Sequence, residues 1–152
     1  NYLRMLSEAF VLGRAPRYDL QGKALLTVNE KYFAGDHGLI WALLGYQDRL
    51  LAGVLENIVW AELRRRGYTV TVGKSGEREI DFVAERAGDR VYVQVATTMT
   101  GGEDLRRREL TPLRAAGDAY PKFVVSLDRL AGGNDGGIRH AYLPRFLLAD
   151  DY

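Results

Sequence analysis

The chain of 152 residues contains no cysteine and only two histidines, His37 and His140. Without thiols it can hold no disulfide framework, thiolate zinc site or iron–sulfur cluster, and it has no thiol nucleophile. Two histidines leave little material for a histidine-based zinc centre. Only three serines occur, none in a G-x-S-x-G setting, so a serine-hydrolase reading has no support. An excess of one charge is also missing. The 21 basic and 20 acidic side chains leave a formal net charge of +1, which argues against a coat of positive charge but not against local patches. No apolar run approaches the ~20 residues of a membrane span, and no basic-then-apolar leader is present. A cytoplasmic protein without a membrane partner is expected.

What is present is the composition of an ordinary globular domain, 47% apolar and 27% charged. The length suits one domain, or one domain plus an appendage. A chain of this size buries roughly two-thirds of its unfolded surface and needs no metal to fold. It starts at Asn1, inside a helical pattern, which predicts a fragment of a longer protein.

Residues 2–10 place Tyr2, Leu3, Leu6 and Phe10 near one helical face. Two strand-like stretches follow, joined by a turn at Gln21-Gly22. Helix plus ribbon, residues 1–37, is compatible with the second half of a winged helix and equally with a plain α/β decoration. Residues 38–152 carry the rest. After a short apolar helix from Leu39 to Leu44, residues 48–66 give the longest helical signal. Its stripe is Leu51, Leu55, Ile58, Val59 and Leu63, and it is stopped by Gly67. Strands are expected over 68–73, 79–85 and 90–97, joined by hairpin-length turns. A helix over 103–117, kinked or restarted at Pro112, leads to a buried strand over 122–127. That strand lies beyond a connection of crossover length, so it is expected parallel to strand 90–97. Residues 131–137 read as a loop, and the tail from Ile138 to Leu148 as an apolar segment docking on the core. The expected fold is α/β, a mixed sheet flanked by helices in the order α-β-β-β-α-β.

Gly73-Lys74-Ser75 resembles the end of a phosphate-binding loop, but the glycine needed five residues earlier is Tyr68. The segment also leads into a strand rather than a helix N-terminus. It is discarded.

Asp81 is the most informative residue. In Ile80-Asp81-Phe82-Val83 a carboxylate meets a desolvation penalty unless it finds a cation, a donor or a metal. Alternation predicts Glu79 and Asp81 on one face, opposite Ile80 and Phe82. An ion pair at a sheet edge explains this as simply as catalysis does. Glu56 lies at the rim of the long helix's apolar stripe, from where it could reach over the sheet. Glu62, with Arg66 at i+4, reads as a paired structural acid. Gln94 is a polar group in an apolar strand, with Tyr92 and Ala96 on its face. Arg64-Arg65-Arg66 and Arg106-Arg107-Arg108 fan out over about 200° of a helix. They suit dipole complement and solvated faces, or phosphate contact through Arg107, Arg108 and Lys122.

Glu56 on a helix, Asp81 on the second strand and Gln94-Val95-Ala96 on the third resemble the core of the PD-(D/E)XK nuclease superfamily. In that superfamily a helix acid, a strand Asp and a Glu/Gln-x-Lys triplet gather a magnesium ion and an attacking water. Carboxylates hold the metal, the metal stabilises charge on phosphate, and the lysine positions the water. The resemblance implies a metal site at Glu56 and Asp81, weak or lost, because Ala96 stands where the lysine belongs. Lys74 or Lys122 could replace it. A turn lysine and a strand-edge lysine are the plain alternatives.

A closer resemblance covers nearly the whole chain. It rests on Tyr32, Asp36-x-Gly38-Leu39, Leu55-Glu56-Asn57-x-Val59, Arg66-Gly67-Tyr68, residues 79–84, residues 92–96, Arg108-Glu109-Leu110-x-Pro112-Leu113, Asp118-x-Tyr120-Pro121-Lys122 and Phe146-Leu147-Leu148. This series is similar to a C-terminal domain of unknown function in microbial AAA-type ATPases. In that family an ATPase module and a winged helix precede a nuclease-like domain, so the resemblance implies a partial winged-helix element over residues 1–37 and a nuclease-like domain over 38–152. The resemblance implies that any ATP is handled by an upstream module, not by this chain, and that the Gln-Val-Ala version of the third-strand motif is common. It favours a non-cleaving nucleic-acid-binding or regulatory module. Two rivals stay open: an active magnesium-dependent nuclease with a relocated lysine, and a protein-interaction or homo-oligomerising module without nucleic-acid affinity.

Overall fold

A computed structural model describes residues 2–129 and 133–149. In chain order the elements are α1 (Tyr2–Glu8), β1 (Leu12–Asp19), β2 (Ala24–Ala34), α2 (Gly38–Leu44), a 3-10 turn (Asp48–Leu50), α3 (Leu51–Arg65), β3 (Thr69–Ser75), β4 (Arg78–Arg86), β5 (Asp89–Val95), α4 (Glu103–Ala115), β6 (Lys122–Ser126), β7 (Gly133–Asp135), β8 (Ile138–Tyr142) and α5 (Leu143–Leu148). The strands described make one eight-stranded mixed sheet in the order β2-β1-β3-β4-β5-β6-β8-β7. The expected α/β fold with a mixed sheet between helices is what the chain adopts.

The β1–β2 ribbon joins this sheet: β1 runs parallel to β3 through Arg17, Tyr18 and Asp19. β3, β4 and β5 form two antiparallel hairpins, and the crossover through α4 makes β6 parallel to β5, as its length predicted. α4 runs unbroken through Pro112, because buried Leu110 and Leu113 hold it to the sheet on either side. The docking tail contains a strand as well as a helix. Ile138–Tyr142 adds to β6 in parallel, and β7 pairs with it across a turn. Of the loop expected over 131–137, positions 131 and 132 lie outside the described residues; 133–135 are strand.

Two apolar layers hold the sheet. Leu55, Val59 and Leu63 of α3 pack with Val72, Phe82, Val93, Phe123 and Phe146. Leu110 and Leu113 of α4 pack with Ile80, Val83, Tyr92 and Val124 on the opposite face. Each such side chain contributes about 1.5–3 kcal/mol on leaving water. The longest helix ends as its sequence dictates. Gly67 takes φ +83°, the Tyr68 N–H reaches the Leu63 carbonyl at 3.1 Å and the Gly67 N–H that of Arg64 at 3.0 Å, a Schellman cap. Glu62 accepts from Arg65 and Arg66 at 2.7 Å, the structural pairing its spacing suggested. α1 ends in the same motif, with the Phe10 N–H on Ser7 and the Val11 N–H on Leu6. There Phe10 stands in glycine's place at φ +59°, a conformation that costs an L-residue about 1–2 kcal/mol.

Candidate functional site

Four elements, α3, β1, β2 and β4, bring a charged cluster together over the α3 face of the sheet. Asn57 on α3 fastens the end of β2: its Oδ1 accepts from the Ala34 N–H at 2.7 Å, and its Nδ2 donates to the Ala34 carbonyl at 3.0 Å. Phe33 then stacks on Trp60, with ring centroids 5.3 Å apart. Two residues earlier on the same strand face, Lys31 points at α3 and meets Glu56, one turn from Trp60.

β4 supplies two more carboxylates by way of a bulge. Thr71 pairs with Val83 and Gly73 with Ile80, so three steps along β4 oppose two along β3. Val72 and Asp81 both fall inside this irregularity. The extra residue changes which side chains share a face. Ile80 and Val83 both pack on the α4 side while Phe82 packs on the α3 side. Ile80 and Phe82 therefore do not share a face, which corrects the simple alternation. The bulge instead lets Glu79 and Asp81 both reach Lys31, the re-aiming that bulges provide beside functional sites.

The Lys31 ammonium lies 2.7 Å from Glu79 Oε1, 3.2 Å from Glu56 Oε2 and 3.9 Å from Asp81 Oδ1. Arg17 from β1 pairs with the other Glu79 oxygen. Asp81 Oδ2 accepts from the Val95 N–H at 2.8 Å, and the Asp81 N–H donates to Gln94 Oε1 at 3.3 Å. Beyond the last ladder pair, Phe82 with Val93, these side chains thus bridge β4 and β5.

Burial first, then the neighbouring Glu56, push the Asp81 carboxyl up to about 7, against the pull of the Val95 N–H and Lys31. Burial works against the Lys31 ammonium, but Glu79, Glu56 and Asp81 outweigh it and hold its pKa above the ordinary lysine value. Burial likewise raises Glu79, and Lys31 and Arg17 overcome it, so that carboxyl titrates below the usual range. Two cations face two carboxylates and a third carboxyl close to half-protonated at neutral pH. Such a cluster is nearly charge-balanced within itself.

The donor set fits an internal ammonium rather than a divalent ion. Mg²⁺ needs near-octahedral oxygens at about 2.0–2.1 Å. Here the carboxylates converge on Nζ, and the Gln94 carbonyl oxygen is turned to a backbone N–H. Among the described residues no group of three acidic, histidine or cysteine side chains is disposed to hold a metal. Lys31 and Glu56 also line a groove of about 400 Å³ with Leu12, Ile40, Leu50 and Val54, which gives the cluster access to solvent.

Of the residues singled out by sequence, Glu56 and Asp81 converge. Gln94 touches the Asp81 backbone, but its Nε2 donates to Glu109 at 3.3 Å, on the α4 side. Lys74 sits opposite Glu79 in the ladder and enters none of the cluster's ion pairs. Lys122 lies beside Tyr92, where its ammonium is held by Asp118 and by the Tyr120 carbonyl. Ala96 is buried against Met99 and Leu113, in the α4-side core. Arg107 pairs with Asp104 at 3.0 Å and Arg108 with Glu109 at 2.8 Å, and both guanidiniums remain largely exposed. Together with Arg78 they line a shallow groove beside α4.

Lys31 and Arg17 escape a sequence reading that treats the ribbon as a separate appendage. Alternation held one signal: Lys31 is two residues from Phe33, the aromatic that β2 sends into the core.

No protein-family model matches the chain, and no solved structure matches it. Over 147 residues, 97% of this chain, it is 48% identical to an uncharacterized protein of Haemophilus influenzae. The match covers 36% of that protein, so the chain spans about a third of its relative's length.

Proposed function

We propose that this chain is a nuclease-like module that does not cleave, with a nucleic-acid-binding or regulatory role in an AAA-type ATPase. The observation that supports it is the Lys31 ammonium between Glu56, Glu79 and Asp81. A tethered cation there supplies the positive charge that a divalent metal would bring, but it offers no open coordination position for a phosphate oxygen or a water. The third-strand triplet is equally spent: Gln94 serves Asp81 and Glu109, and Ala96 serves the core. Lys74 and Lys122 are no substitutes, one outside the cluster and one committed to Asp118.

Nucleic-acid contact is carried by the α4 side, where Arg78, Arg107 and Arg108 line one groove. Exposed guanidiniums of this kind neutralise phosphates without reading sequence.

Fluorescence anisotropy with labelled single-stranded and duplex DNA tests both parts. Binding is expected, weakening steeply between about 50 and 200 mM salt, and weakened further by the double change Arg107→Glu, Arg108→Glu. No cleavage is expected with Mg²⁺ or Mn²⁺. Metal-dependent cleavage abolished by Asp81→Asn overturns the non-cleaving reading. Absence of any DNA binding at low salt overturns the nucleic-acid role.

A further inference from the structure

The first two helices are apolar and have no buried residue. α2 reads GLIWALL, seven residues without a charge, and in α1 the charges Arg4 and Glu8 are paired with each other at 3.5 Å. A helix facing water alone carries charged side chains on its free face. These two instead present Tyr2, Met5, Leu43 and Leu44, with Phe10 and Tyr46 just beyond their ends, each more than half exposed. Both helices spring from one end of the ribbon. Leu12 pairs with Ala34 there, and the Gly35 N–H donates to the Val11 carbonyl at 2.9 Å.

Phe10 makes the strongest case. It holds the left-handed position of the cap, which glycine fills at the end of α3, and the residue is 88% exposed. Nothing within the described residues repays a bulky aromatic in that conformation. Depletion of charge with aromatic and Met enrichment is the composition of an interface core, and a surface of this kind marks a contact site.

We propose that α1 and α2 form an intramolecular docking face, covered by the part of a longer polypeptide outside the stretch matched in the Haemophilus influenzae relative. That stretch is 36% of the relative, so nearly two-thirds of a homologous chain is on hand to supply a cover. It is present at the high effective concentration of a covalent link. The covering surface is apolar and uncharged, complementary to α2.

Hydrogen exchange on the full-length Haemophilus influenzae protein and on this 152-residue chain tests it. In the short chain the amides of α1 and α2 are expected to exchange at near-unprotected rates. In the full-length relative the aligned segments are expected to be at least 100-fold slower. Aspartate placed at the positions aligned with Phe10 and Leu43 is expected to abolish that protection while leaving the sheet's protection in place. Equal, fast exchange in both proteins overturns the proposal. So does a short chain that sediments as a dimer with α1 and α2 protected, which assigns the face to a second copy.

Discussion

Replacing Asp81 with asparagine isolates the electrostatics of the cluster. The side chain is nine-tenths buried from solvent, and its carboxyl titrates near 7 instead of its ordinary 3.8. Between those values the folded state keeps a proton that the unfolded chain has released. The folded pKa is raised, so the stabilising contribution is fully present below about pH 4. It is lost as pH rises through 7. Three pKa units at 1.36 kcal/mol each set the full cost of ionising this group at about 4 kcal/mol. Asparagine retains an oxygen to accept from the Val95 N–H, held at 2.8 Å in the wild type, and does not titrate. Urea unfolding followed by far-UV circular dichroism, repeated across the pH range, reads the difference between the two proteins. The variant is expected to gain on the wild type by about 3 kcal/mol between roughly pH 4.5 and 8.5, with an unchanged urea slope. Carboxyls remote from the cluster cancel in the comparison. A difference that stays constant with pH, or shrinks as pH rises, refutes the assignment of a buried, proton-holding carboxyl at Asp81.

Two further substitutions test the supports around the cluster. A Cβ on Gly13 would stand 1.8 Å from Trp60 Cη2. Gly13→Ala must therefore push the indole off Phe33, at a cost of about 1–3 kcal/mol. A lowered Tm and red-shifted Trp60 emission in a Trp41→Phe background are expected, and an unmoved spectrum counts against this packing. Glu62 is 8% exposed at its side chain and Arg66 9%. Glu62→Gln leaves a buried guanidinium without its carboxylate and is expected to cost about 2–4 kcal/mol in urea unfolding. A loss below about 0.5 kcal/mol would make the pair no more than an exposed surface contact.

How much of this was legible in the sequence divides along physical lines. Local rules carried the elements whose cause is local: the α3 stripe, its Gly67 stop, the Glu62 and Arg66 spacing, and the parallel placement of β6 after a crossover. Gln94 was correctly assigned to the face of Tyr92 and Ala96, because β5 is regular and alternation holds along it. β4 is not regular. One extra residue between Ile80 and Val83 reverses the parity that alternation assumes, and no turn residue announces it; Gly73 on the facing strand, which leaves room for the Val83 and Ile80 side chains, is the nearest trace. β8 was hidden because Ile138–Tyr142 alternates weakly and earns its strand by pairing with β6 and β7.

Lys31 was missed for a different reason, and it decides the chemistry. Its partners lie 25, 48 and 50 residues further along the chain, so no local pattern relates them. The contact exists because β1 adds to β3 and carries β2 over α3, making the ribbon part of the site instead of an appendage to it. The carboxylates that resemble a metal centre in sequence are therefore those a distant lysine can reach in the fold. Motif spacing can identify the acids of such a site, but the cation that balances them is set by which strand closes the sheet edge. Here β2 brings an ammonium to that edge, and Asp81, the most buried of the three carboxyls, beside Glu56 and 3.9 Å from that ammonium, is the one pushed up to about 7.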